Sequence, residues 1–250
     1  MSWHKLYLVC AFFVKKIFFG IKLHFFRLDD RNKMRYNEKN VMFYDFQSKV
    51  TLNINSMEMI ILGTIGFFFY FLYDINSVKE NHPVLRYFFA VGTLCLVVST
   101  IGTMIMNCDM EQIKKTIGIL LLAVGICFFV LLIYTLFFAL PFEETYLEES
   151  RERLAYTEGM YGLCRHPGVL WFAGLYLCLW GLTGLTLEGI FFPVMILWNV
   201  LYIIFQDLWT FPRTFSNYLD YKKTTPFLIP NKKSIRVCIS TWKDYSRDER

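Results

Sequence analysis

Arg165-His166-Pro167 stands where a charged loop gives way to an apolar run, within "EGMYGLCRHPGVLWF". Charge is costly at the edge of a buried helix, so its placement there needs a physical reason. Proline suits the first position of a helix, where its missing N–H leaves nothing unpaired, and Pro167 is expected to begin one. A helix N-terminus presents free N–H groups and a partial positive charge. Arg165 adds a full positive charge and His166 a hydrogen-bond donor. Together they suit an anion such as a carboxylate. The same residues also suit a plainer role, an arginine snorkelling to lipid phosphates beside a proline helix start. His82-Pro83 in "NHPVL" precedes another apolar run, but nothing upstream repeats the pattern before Arg165, and it reads as a helix start only.

A second group of candidate residues follows Phe205, in "QDLWTFPRTFSNYLDYKKTTPFLIPN". Gln206-Asp207 opens it, and Trp209, Phe211, Phe215, Tyr218 and Tyr221 follow at short intervals. Tyr218 and Tyr221 are three apart and share a helix face, with Phe215 extending the stripe. Lys222 and Lys223 are expected to turn away, toward headgroups or water. Such a stripe suits a lid folded back over a pocket from Gln206 to Pro230. It also suits an interfacial helix, since Tyr and Trp favour the headgroup level.

Read in order, these pieces resemble the isoprenylcysteine carboxyl methyltransferase and phospholipid methyltransferase superfamily of integral membrane enzymes. The carriers are G-x-Y-x-x-x-R-H-P (Gly159, Tyr161, Arg165, His166, Pro167), a helix hairpin, an acidic position at Gln206-Asp207, Phe215-Ser216 where the family has Phe-Gly, the spaced tyrosines Tyr218 and Tyr221, and the ending "TPFLIPN". The resemblance covers roughly residues 150–231. It implies S-adenosylmethionine as cofactor and a membrane core of five or more helices. It also implies a pocket facing the cytosol, capped by the segment after the last helix. By resemblance, Arg165 and His166 are the catalytic pair and hold the cofactor's amino-acid end. Gln206-Asp207 would neutralise its ammonium or sulfonium. Gly159, Tyr161, Pro167, Tyr218 and Tyr221 complete the cofactor site. The implied acceptor is lipophilic: a prenylated cysteine carboxylate, a phospholipid amine or a small lipid. Val169 and Trp171 depart from the family's tyrosine and glycine, and Gln206 leaves one acid where the family has two. A relative that no longer catalyses is therefore one alternative. An NADPH-dependent membrane steroid or sterol reductase is another, with Arg213, Lys222 and Lys223 as its cations. A structural or transport protein is the third. No acid is expected in the membrane interior, which argues against ion coupling.

The elements that must position these residues are membrane helices. The 250 residues are 55% hydrophobic and 19% charged, against about 25% charged in a soluble domain. Five runs approach the roughly 20 apolar residues that a spanning helix needs: Met57–Tyr73, Val84–Met106, Thr116–Leu140, Val169–Leu187 and Gly189–Phe205. The last two, separated by Leu187-Glu188-Gly189, are expected to form a tight hairpin that returns the chain to the level of Arg165. The N-terminal run is interrupted by Lys15, Lys16 and Lys22 and reads as an amphipathic helix in the interface; were it to cross, the spans would number six. Both chain ends are basic, so the positive-inside rule does not fix the orientation. The expected fold is all-α and multi-pass. Residues 1–56 are an interfacial helix and polar connector, and 57–141 hold three transmembrane helices. Residues 142–231 are the catalytic region with its hairpin and cap, and 232–250 a basic polar tail. The seven cysteines and four histidines are scattered, with no C-x-x-C, no H-E-x-x-H and no histidine cluster. Neither a metal nor a nucleic acid is expected as a partner; the lipid bilayer is.

Overall fold

The computed structural model describes residues 38–79, 82–108, 110–137, 139 and 153–248. The chain divides into two units, Met1–Thr51 and Leu52–Arg250. The first is described only as helical backbone from Glu38, so the N-terminal amphipathic run lies outside the described residues. The second unit carries the membrane helices and the candidate site. Among the described residues the secondary structure is helical throughout, with no strand.

In chain order the helices are α1 (Glu38–Lys79), α2 (Phe88–Asn107), the short α3 (Met110–Lys114), α4 (Thr116–Phe137), the single-turn α5 (Gly159–Leu163), α6 (Pro167–Leu182), α7 (Phe191–Phe205), the short α8 (Phe211–Thr214), α9 (Tyr218–Thr224) and α10 (Lys232–Asp248). Four stretches are long and apolar enough to cross a bilayer: Ser56–Lys79, Leu85–Asn107, Thr116–Phe137 and Phe191–Thr214. The protein is therefore a multi-pass helical membrane protein, with four such spans among the described residues. The fifth expected span, α6, has 16 residues, or about 24 Å at 1.5 Å per residue, against about 30 Å of hydrocarbon.

The shortfall arises at the C-terminal end of α6. Gly184 (φ 72°) and Leu185 (φ 57°) both lie in the left-handed region. Gly184 N–H reaches Gly181 O (3.1 Å) and Leu185 N–H reaches Trp180 O (3.2 Å). This 6→1 and 5→2 pair is a Schellman cap, which closes a helix. The expected helix through Leu187 thus stops at Leu182, and the apolar residues beyond it belong to a turn and a 3₁₀ segment, Glu188–Ile190.

The core lies where α1, α2, α6 and α7 meet, around Phe67, Tyr70, Leu96, Phe172, Tyr176, Phe191, Phe192, Met195 and Tyr202. Phe172 and Tyr176 stack at 4.0 Å between centroids, and Tyr176 Oη shares a 2.7 Å hydrogen bond with Thr100 Oγ1. Helices α1 and α2 approach closely because Gly66 and Gly92 face each other. A Cβ on Gly92 would lie 2.6 Å from Gly66 O. Small residues at such crossings supply the packing that drives association in lipid, where apolar burial gains little. The outward face of α4, including Ile117, Leu120, Phe129 and Val130, is exposed, as a lipid-facing surface should be.

The tail expected at residues 232–250 is a helix. Asn231 Oδ1 accepts Ser234 N–H (2.8 Å) and Ser234 Oγ accepts Asn231 N–H (3.0 Å). This reciprocal cap starts α10. Ser234 and Cys238 are buried, and α10 packs on α5 beside Gly162, where an added Cβ would lie 3.1 Å from Val237 Cγ1.

Candidate functional site

The site is built at the start of α6, at the end of the α7 span and on α9. Pro167 occupies the first turn of α6 as expected. The preceding loop is held from the far side of the chain, with Arg165 N–H donating to Pro226 O (3.0 Å).

The α7 span carries a π-helical turn, Gln206–Thr210, before α8. Phe211 N–H bonds Gln206 O, five residues back. The next amide in that register would be residue 212, which is proline and has no N–H. The Asp207 carbonyl is thereby released, and Lys222 Nζ donates to it at 3.1 Å. One π turn thus both re-aims the Asp207 side chain and opens its backbone oxygen.

Asp207 is the hub. Its Oδ1 accepts Arg165 Nε (2.8 Å) and Tyr218 Oη (2.7 Å). Its Oδ2 accepts Arg165 Nη2 (3.3 Å) and lies 2.7 Å from Lys222 Nζ. Arg165 Nη1 donates to the carbonyls of Thr225 (2.7 Å) and Lys222 (3.2 Å). The Arg165 and Asp207 side chains are buried, at 9% and 6% exposure. Counted as charges, the cluster holds two cations and one anion.

His166 lies against the same carboxylate without bonding it. Its Nε2 is 3.6 Å from Asp207 Oδ1, beyond hydrogen-bonding distance. Among the described residues that buried nitrogen has no hydrogen-bond partner. Its ring stacks on Phe211 at 5.6 Å and meets the edge of Phe227 at 5.3 Å. Burial pushes the imidazole below its ordinary value, against the opposing pull of Asp207. Burial also pushes the Tyr218 and Tyr221 phenols well up, with Asp207 adding to the effect at Tyr218, so both remain protonated donors. Burial likewise pushes the neighbouring Cys164 thiol up, to about 11.

The structure therefore brings Arg165, His166, Asp207 and Tyr218 into one cluster. Tyr221 joins at one remove, its hydroxyl donating to Tyr161 O (2.6 Å) while Tyr161 Oη donates to Thr135 O (3.2 Å). Gly159 turns elsewhere, its N–H bonding Thr241 Oγ1 of α10 (2.9 Å). Gln206 faces away from the hub, toward Asp74. Lys222, expected to point outward, points in. Phe215 is not on the tyrosine helix but in extended backbone before it. Of the residues departing from the family pattern, Val169 is buried and Trp171 donates its indole N–H to Thr135 Oγ1 (3.1 Å). Both serve the packing of α6.

Compared with known protein families, curated proteins and solved structures, the chain matches none.

Two residues are not legible in the sequence pattern, Lys222 in the cluster and Asp74 beside the π turn. Lys222 is four residues after Tyr218, so the tyrosine face of α9 carries it. Asp74 stands one residue beyond the apolar run Met57–Tyr73, yet the Ser56–Lys79 stretch includes it and it is only 4% exposed. Thr210 Oγ1 donates to its Oδ2 at 3.4 Å, and Tyr202 and Gln206 lie beside it. The expectation of no acid within the spans is thus corrected by the buried Asp74 and Asp207, and the exposed Glu58 also falls in the Ser56–Lys79 stretch.

Proposed function

We propose that the protein is an integral membrane methyltransferase that uses S-adenosylmethionine and acts on a lipophilic acceptor, in the manner of the isoprenylcysteine carboxyl and phospholipid methyltransferases it resembles. The observation that carries this reading is the meeting of two distant segments. The loop with Arg165 and His166 and the segment from Gln206 to Pro226 close on one buried cluster with a surplus positive charge and an unpaired imidazole nitrogen.

The donor set fits the carboxylate of an amino acid. Arg165 and Lys222 leave one positive charge uncompensated, and His166 Nε2 is free to bond an incoming oxygen. S-adenosylmethionine would supply a methyl group made electrophilic by its sulfonium. The work of the chain is to bind, orient and exclude water. Phe211, Phe227 and Tyr218 wall the cluster with aromatic surface. A lipophilic acceptor would reach the start of α6 sideways from the bilayer. A pocket on the cytosolic face follows from the resemblance.

A second reading is a structural clasp, favoured by one observation: Arg165 already bonds Asp207 and two carbonyls within the protein. A reductase has less support, because Lys222 faces Asp207, Lys223 pairs with Asp220 (2.8 Å) and Arg213 lies over Trp209. The deciding experiment is equilibrium binding to the purified, detergent-solubilised protein. Saturable binding of S-adenosylmethionine and none of NADPH is expected. No binding of either supports the clasp, and NADPH alone supports the reductase.

A further inference from the structure

Two buried carboxyl groups meet at the π turn, Asp207 within it and Asp74 from α1, and among the described residues only Asp207 has a cation. Asp207 is held by Arg165 and Lys222. Asp74, reaching in from α1, has no ion pair among the described residues; its neighbours are the Thr210 hydroxyl, Tyr202 and Gln206. An ionised carboxylate in such a setting is costly unless a positive charge faces it. Asp74 also sits near the C-terminal end of its helix, where the helix dipole is negative and makes an anion less favourable still.

The placement is ordered. Gln206 and Thr210 are four apart and share the face of the turn that meets Asp74. Asp207 and Phe211 are four apart and share the next face, which meets Arg165 and His166. The two carboxyl groups thus stand on neighbouring faces of one turn, one beside cations and one beside neutral oxygens.

We propose that Asp74, set beside Thr210, Tyr202 and Gln206 on the face of the π turn next to Asp207, is the anionic subsite for the sulfonium of the bound methyl donor. The inference rests on the function proposed above and deepens it. In an S-adenosyl amino acid the ammonium is on the carbon that bears the carboxylate, so it belongs with the mixed-charge cluster of Arg165, Lys222 and Asp207. The sulfonium is separated from that carbon by two methylenes and belongs on the neighbouring face. Gln206, which stands where the family has a second acid, thereby has a substitute from another helix. Asp74 binds and positions; no bond to it forms or breaks.

The test uses three probes that differ at one position: S-adenosylmethionine with a methyl sulfonium, sinefungin with an ammonium-bearing carbon in its place, and S-adenosylhomocysteine with a neutral thioether. Affinities are measured by calorimetry on the full-length wild type, Asp74→Asn and Thr210→Val. Asp74→Asn is expected to weaken the two cationic probes by about tenfold or more while leaving S-adenosylhomocysteine within about twofold. Thr210→Val should show the same selectivity at smaller size. Retained thioether binding is the internal proof that the variant is folded. Equal weakening of all three probes, or of none, overturns the role of Asp74 and leaves the proposed function standing. Failure of the wild type to bind any of the three overturns the proposed function itself.

Discussion

Separating Arg165 from Asp207 tests whether the cluster is as tightly coupled as its geometry requires. Both side chains are nearly buried and two N–H···O contacts join them, at 2.8 and 3.3 Å. Removing one partner of a buried pair typically costs about 3–5 kcal/mol, because the other is left uncompensated. Arg165→Met should fall at the low end, about 3 kcal/mol, since Lys222 and Tyr218 still hold the carboxylate. Asp207→Asn should cost more, toward about 5 kcal/mol, since it leaves two cations facing each other with no anion. In the double variant only Lys222 remains charged, and it is 27% exposed and can turn to water. The loss in the double variant should therefore fall short of the sum of the two single losses by about 1.5–3 kcal/mol. The assay is chemical unfolding of the four proteins in one detergent, followed by circular dichroism. Losses that add to within about 0.5 kcal/mol would show that the two groups do not depend on each other, and the electrostatic account of the site would be wrong.

Three further outcomes are expected. Tyr218→Phe, at a position 1% exposed, removes the 2.7 Å donor to Asp207 and should cost about 1.5–3 kcal/mol in the same unfolding assay, whereas an interfacial tyrosine would lose little. Gly162→Ala places a methyl 3.1 Å from Val237 Cγ1 and 3.2 Å from Thr157 O; it should loosen α10, read as faster thiol labelling of the buried Cys238, and unchanged labelling would refute that packing. His166 is held below its ordinary value of 6.5 by burial, so as pH falls below 6.5 the unfolded chain takes up the proton first. Stability should thus decline on acidification from that point down to the folded value and be flat above it. His166→Gln should remove that component of the slope, which a thermal unfolding series from pH 8 to 5 would detect.

Much of the site could be read in the sequence because its chemistry is carried by unusual residues in unusual places. A proline at a helix start, an arginine beside it and an acid after an apolar run each need a physical reason. The near-equal arms of the hairpin bring them to one level. What escaped reading depended on backbone geometry that composition does not encode. The helix end at Leu182 was hidden because Leu185 and Leu187 keep the run apolar, although Thr183-Gly184 carried the signal for a cap. The inward turn of Lys222 was missed because the aromatic stripe was begun at Phe215, which is extended, and not at Tyr218, where the helix starts. The π turn, set by Pro212, has no apolar periodicity of its own. Asp74 fell one residue beyond the run as counted. In α10 the basic residues masked an inward register of Ser234, Cys238 and Thr241, for which Gly162 of α5 makes room.

The central claim is that the Arg165-His166 loop and the segment after α7 form one cofactor site. Ultraviolet cross-linking of radiolabelled S-adenosylmethionine to the purified protein, followed by peptide mapping, tests it most directly. The account predicts label confined to peptides from residues 159–166 and 206–227 and from around Asp74, competed by S-adenosylhomocysteine and not by NADPH. Competed label on other segments, or protection of these segments by NADPH alone, would contradict it.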